Sequence, residues 1–225
     1  MKRHPPFALA AALALTTAML LAPTTVPAAT QIESAVAAYE RGDLVAAREA
    51  FARVAQAGVS AADYNLAVMH LRRELPRPDA REALRLMTRA AEAGFVTAMF
   101  GLAQLYDNAS VAPGGRADIV QANRWFQRAA EAGSVDAQVA IATAHFLGRG
   151  TAKNPTEAAR WYREAAKGGD VGAQYLIASM YEAGDGVARD LRLARYWYDI
   201  AARNGDEAAP GKVKELDVKL AAPKS

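Results

Sequence analysis

From residue 62 onward, apolar positions recur at helical spacing with polar residues between them. An alanine (Ala62, Ala98, Ala137, Ala173) is followed four residues on by an aliphatic side chain (Leu66, Leu102, Ile141, Ile177). A small residue comes at five, and a ring at eight (His70, Tyr106, His145, Tyr181). These positions fall within a wedge of about 140° at about 100° per residue, so each stretch predicts an amphipathic helix with one buried face. A second helix follows each time. Asp79, Asp118, Asn154 and Asp190 are favourable N-caps, whose side-chain oxygen accepts a hydrogen bond from an exposed first-turn amide. An alanine pair and then a glycine three residues further on mark its expected stop. No period-two strand pattern competes.

The two-helix unit repeats. Trp125, Trp161 and Trp197, all the tryptophans in the chain, stand 36 residues apart. Each precedes an aromatic (Phe126, Tyr162, Tyr198), an alanine pair and a glycine (Gly133, Gly169, Gly205). Fainter copies run through Asp79, Ala83, Leu86 and Gly94, and through Asp43, Ala47, Ala55 and Gly58. The glycines are separated by 36, 39, 36 and 36 residues, the longer interval reflecting three extra residues within Asn108 to Arg116. The chain is therefore predicted to be all-α, a solenoid of helix-turn-helix repeats. One such pair cannot bury its apolar face alone, so stability must come from stacking and from end caps. The expected organisation is an N-terminal segment 1–28, a capping repeat 29–58, four repeats over 59–209 and a polar C-terminal cap over 210–225.

The order small-x-x-x-Leu/Ile-Ala/Gly-x-x-Tyr, a Gly-x-Gly-Val turn, then Asp, Ala, Trp and an alanine pair before Gly resembles the Sel1-like repeat, a relative of the tetratricopeptide repeat. Tyr181, Gly184, Gly186, Val187, Asp190, Ala194, Trp197 and Gly205 carry the pattern almost fully, and Gly148-Arg149-Gly150-Thr151 departs only at valine. The third repeat has another turn, and Tyr39 to Phe51 is shorter, as in tetratricopeptide repeats. The resemblance covers roughly Ala62 to Ala208. It implies a right-handed superhelix whose first helices line a concave groove, and a role in assembling complexes or in signalling across bacterial envelopes.

The N-terminus reads MKRHPPF, then ALAAALALTTAMLLA, then PTTVPAAT. A basic start, a short apolar run and small residues at Val26 and Ala28 have the layout of a secretory signal, with cleavage expected after Ala28. The apolar run is shorter than the ~20 residues a membrane helix needs. The product is thus expected to be exported to the periplasm or the medium, with no membrane insertion. Removing residues 1–28 takes away Lys2 and Arg3 and leaves 25 basic against 24 acidic residues, so nucleic acid is not an expected partner. There is no cysteine, which excludes disulfides and thiolate chemistry.

No catalytic motif emerges. Tyr106, His145, Trp125, Trp161, Tyr181 and Trp197 hold repeat positions and are expected to build the core rather than a site. His70 and His145 lie two modules apart, no metal site is expected, and the Gly-x-Gly turns lack the context of a phosphate loop. No cofactor is expected.

The surface remains. Offsets of two, six, nine and ten from each leading alanine are expected to face the groove. They are Tyr64, Val68, Leu71 and Arg72; Phe100, Gln104, Asp107 and Asn108; Val139, Thr143, Phe146 and Leu147; Tyr175, Ser179 and Glu182. Aromatic and mixed polar groups suit a protein or peptide partner in the cell envelope. Packing of Tyr64, Phe100 and Tyr175 between modules is the competing reading. The segment Asp107 to Asp118 is a second candidate surface. A hydrolase acting on cell-wall-like or lactam substrates and a self-associating structural protein are the alternatives to a non-catalytic scaffold.

Overall fold

The computed structural model describes residues 28–108 and 115–221. The signal expected over residues 1–28 lies outside them except for Ala28, and so does the middle of the Asp107 to Asp118 segment. Among the described residues all regular structure is helical: α1 (Ala28–Glu40), α2 (Leu44–Gln56), α3 (Ser60–Leu71), α4 (Ala80–Glu92), α5 (Val96–Asp107), α6 (Ile119–Glu131), α7 (Val135–Leu147), α8 (Pro155–Lys167), α9 (Val171–Ala183), α10 (Leu191–Arg203) and α11 (Ala209–Ala221). The protein is an all-α solenoid of helix-turn-helix repeats. It divides into two compact units, residues 1–118 with α1 to α5 and residues 119–225 with α6 to α11.

The punctuation of the chain builds these helices. Asp79 caps α4 by accepting from the Arg81 and Glu82 amides at 2.8 and 3.3 Å, Asn154 caps α8 through Glu157, and Asp190 caps α10. At the other end of α4, Gly94 takes a left-handed φ of 91°. Its N–H donates to Ala91 C=O at 3.1 Å while Phe95 N–H donates to Ala90 C=O at 3.0 Å, the paired bonds of a Schellman stop. The same pair of bonds closes α2, α6, α8 and α10. In the second unit the residue after that glycine caps the next helix at once: Ser134 and Asp170 accept from Ala137 and Ala173. One short turn thus ends one helix and starts another.

Small residues set the spacing. Ala83 and Ala90 in α4, Ala122 and Ala129 in α6, Ala158 and Ala165 in α8, and Ala194 and Ala201 in α10 have no exposed surface. Alanine at a crossing lets helix axes approach to the lower end of about 8–10 Å, and larger side chains such as Leu102, Ile177 and Met87, all fully buried, fill the grooves beside them. Of the tryptophans, Trp161 is buried, whereas Trp125 and Trp197 are half-buried. Guanidinium groups cover two of these rings, Arg128 at 4.3 Å from the Trp125 centroid and Arg160 at 4.0 Å from that of Trp161. Tyr181 is buried, and Tyr106 and His145 are half-buried.

Residues 209–221 form α11, an amphipathic helix that packs on α10 and buries Ala209 and Leu216.

Candidate functional site

The offsets expected to face a groove divide into several environments. In the first unit Tyr64 is only 2% exposed, packs edge-on against Phe95 at 5.6 Å and has its hydroxyl pKa pushed up to about 12 by burial. Val68 is fully buried and Leu71 half-buried. Phe100, Gln104 and Asp107 are half-buried and Asn108 is exposed. In the second unit the residues at offset six turn toward the second helix of their own pair. Thr143 shares a 2.9 Å hydrogen bond with the Tyr162 hydroxyl, and Ser179 hydrogen-bonds Tyr198. Tyr175 packs edge-on against Tyr198 at 5.0 Å.

Other candidates hold the terminal helices. Arg72 donates to the Tyr39 hydroxyl of α1 at 2.9 Å, and that hydroxyl donates to Glu74 at 2.6 Å. Glu182 accepts from Tyr198 at 3.1 Å and from Lys212 and Lys219 of α11 at 3.1 and 3.3 Å. Burial alone would raise the Glu182 carboxyl, but those donors override it and hold it below the usual carboxylate range. The α7 face is different. Phe146 is half-buried with the Lys153 ammonium 5.9 Å from its ring, Val139 is half-buried, and Leu147 is 63% exposed.

A recess in the first unit lies elsewhere, between the second helices α2 and α4 and the end of α3. It holds about 620 Å³. Ala52, Leu66, Leu75 and Leu86 contribute apolar walls, and Arg48, Arg77, Arg85 and Arg89 contribute four guanidinium groups. Arg85 is engaged by Glu82 at 2.6 Å, and Arg89 by the buried Asp63 through a 2.7 Å Nε–Oδ2 bond. Arg48 has only an exposed contact of 3.6 Å with Glu49, and Arg77 has no ion-pair partner among the described residues. His70 completes the wall, and its Nδ1 accepts the Asp79 amide at 3.0 Å, so in the neutral ring the proton sits on Nε2. No group of three His, Asp or Glu side chains able to hold a metal occurs among the described residues. None of their helices is long and apolar enough to cross a membrane.

The Sel1 repeat model matches four times, over residues 60–95, 96–134, 135–170 and 171–206. The chain belongs to the Sel1 repeat family. Among solved structures it is similar to a protective antigen of uropathogenic Escherichia coli with an SLR fold, at 25% identity and a TM-score of 0.76 over 88% of this chain and 43% of that one. It is also similar to a Sel1 repeat protein from Oxalobacter formigenes, at 29% identity and a TM-score of 0.69 over 76% of this chain and 49% of that one. The chain therefore spans less than half the length of either. No curated protein matches it in sequence.

The turn beside the recess differs from two corresponding later turns at one position. In the last repeat Gly186 takes φ 69° and lies so close to the start of α8 that a Cβ there would be 2.2 Å from the Pro155 carbonyl oxygen. In the preceding repeat a Cβ at Gly150 would be 2.5 Å from the Ile119 side chain. The matching residue in the first Sel1 repeat is Leu75, 8% exposed. Leu75 puts a side chain where those turns have none, and that side chain forms part of the wall of the recess. The sequence reading missed this surface because it sought runs of like charge. Arg81, Arg85 and Arg89 are spaced by four, which scatters them in sequence and aligns them on one side of α4. That spacing and the leucine in a glycine position were the available signals.

Proposed function

We propose that this chain is an exported, non-catalytic scaffold of the bacterial envelope that binds a protein or peptide partner. The observation that carries the reading is the bare end of α7, where Leu147 is 63% exposed beside Phe146. The equivalent places on α9 are Glu182 and Ala183, and there the lysines of α11 are already docked on Glu182. A partner segment covering α7 would bury an aromatic and an aliphatic side chain next to a ready cation, Lys153. The N-terminal layout supports export, and the similarity to a protein described as a protective antigen agrees with it. The test is a crosslinking capture from envelope extract, comparing the chain with a Phe146→Ser, Leu147→Ser variant of equal helical content. A protein captured by the first and lost by the second supports the reading; the same set with both overturns it. Export is checked by N-terminal sequencing of the periplasmic fraction, expected to start at Ala29.

Self-association has one observation in its favour. Leu193 and Tyr196 on α10 are 41% and 53% exposed, at the positions where α4 and α8 carry the ion pairs Glu82–Arg85 and Glu157–Arg160. Light scattering across concentration decides it, since a constant monomer mass removes this second reading.

A further inference from the structure

We propose that the cleft between α2, α3 and α4 is a docking site for a short acidic segment of a partner protein, one with carboxylates on both sides of an aliphatic side chain. This deepens the scaffold reading and rests on it, but uses a different surface from α7. Three features carry it.

The first is shape. A recess of about 620 Å³ falls in the size range of built ligand sites, about 300–1,000 Å³, and its apolar walls come from Ala52, Leu66, Leu75 and Leu86. An aliphatic side chain is the group those walls accommodate without leaving a polar atom unsatisfied. The second is charge. Four arginines line the recess against one lining carboxylate, Glu82. Glu82 and Asp63 already hold Arg85 and Arg89, so those two are fixed in place as the back of the site. Arg77, on the α3–α4 turn, has no ion-pair partner among the described residues, and Arg48, on α2, has only its exposed 3.6 Å contact with Glu49. Both are therefore accessible to incoming carboxylates, which the planar guanidinium fork suits. His70 adds an Nε2–H donor when neutral.

The third is which elements line the cleft. Where two later turns carry Gly150 and Gly186 against the start of the preceding helix, this one carries Leu75, whose side chain forms part of the wall. The basic side chains that surround the opening are then gathered from three elements onto it: Arg48 from α2, Arg77 from the turn, and Arg85 and Arg89 from α4. A merely solvated face of the array needs no such opening.

The probe is a fluorescein-labelled peptide, Glu-Leu-Asp-Glu-Leu-Asp, titrated with the full chain and followed by fluorescence polarisation. Its uncharged analogue, Gln-Leu-Asn-Gln-Leu-Asn, and a labelled oligothymidine are run alongside. The expected result is saturable binding of the acidic peptide that weakens about tenfold or more in Arg48→Glu, Arg77→Glu, and that also weakens on raising salt to about 0.5 M. Both arginines are exposed and neither anchors a helix, so the variant keeps its helical circular dichroism. Failure to bind the acidic peptide overturns the proposal. So does equal binding by the variant or by the uncharged peptide, and oligothymidine bound as tightly as the peptide would make the cleft a general polyanion surface instead. The Phe146→Ser, Leu147→Ser variant separates the two claims. It should bind the peptide as the parent does, and partner capture that persists through α7 while the peptide fails would remove this inference and leave the scaffold reading standing.

Discussion

Arg73 sits at φ 59°, the left-handed region that side chains with a Cβ avoid, and it occupies the repeat position of Gly148 and Gly184. Left-handed backbone costs an ordinary residue about 1–2 kcal/mol, and glycine gives back about 0.5–1 kcal/mol through its looser unfolded state. Arg73→Gly is therefore expected to stabilise the protein by about 0.5–1 kcal/mol, seen as a higher urea midpoint with an unchanged slope. Two other glycines separate backbone conformation from crowding. Gly133 has φ 92° with open space around its missing side chain, whereas Gly186 has φ 69° and the Pro155 backbone against it. Gly133→Ala should cost about 1 kcal/mol, the conformational penalty alone. Gly186→Ala should cost at least about 2 kcal/mol more, because backbone must also move. Equal losses at the two sites in urea melts would mean that the turn at Gly186 shifts freely away from Pro155.

At the scale of elements, α11 is held by carboxylates whose titration has a predictable sign. Glu182 of α9 and Asp217 of α11 pair across helices, with the α11 lysines and with Arg195 of α10. Glu215 instead pairs with Lys212 and Lys219 within α11. All three lie below their ordinary values. Burial opposes the shift at Glu182 and the α11 lysines override it, while hydrogen bonds from Lys219 and Lys212 lower Glu215 and one from Arg195 lowers Asp217. A depressed carboxylate contributes stability that is present above its unfolded value, 4.5 for glutamate, and is lost as pH falls through the folded one. Lys212 and Lys219 are raised by the same carboxylates, so their share is present below their unfolded value of 10.5 and is lost as pH rises through the folded ones. Docking of α11 is thus expected to be strongest between about pH 5 and pH 10 and to loosen below about pH 4. Hydrogen exchange of α11 amides across pH checks this, and Glu182→Gln should flatten the acid limb. The helices themselves were legible in the sequence because caps, alanine pairs and glycine stops repeat in register. The surfaces were less so. An offset along a helix fixes which side a residue occupies but not what covers that side. Tyr64, Arg72 and Glu182 share a nominal face with Leu147, yet they are taken up by Phe95, α1 and α11, while Leu147 stays open.

For the molecule as a whole, the pattern of packing decides how damage spreads. Within each unit the extensive interfaces are between helices consecutive in sequence, from α1 on α2 to α4 on α5 in the first and from α6 on α7 to α10 on α11 in the second. The division near residue 118 was foreshadowed by the one interval that breaks the repeat, 39 residues instead of 36, although spacing alone did not distinguish a longer turn from a boundary between units. In an array of this kind stability is approximately a sum of repeat terms and nearest-neighbour terms, so a cavity should loosen its neighbourhood before it loosens the chain. Met87 in α4 is the place to make one, since it has no exposed surface and belongs to the first unit. Met87→Ala removes buried volume at an expected cost of about 2–5 kcal/mol. Hydrogen exchange followed peptide by peptide should show lost protection in α3, α4 and α5, with α9 and α10 unchanged. Equal loss of protection in both units would mean that the chain unfolds as a single cooperative body and that the nearest-neighbour account fails. Loss confined to the first unit would show that each unit keeps its own stability, so that a partner bound at the arginine cleft raises protection in α2 to α4 without stiffening the helices beyond residue 119.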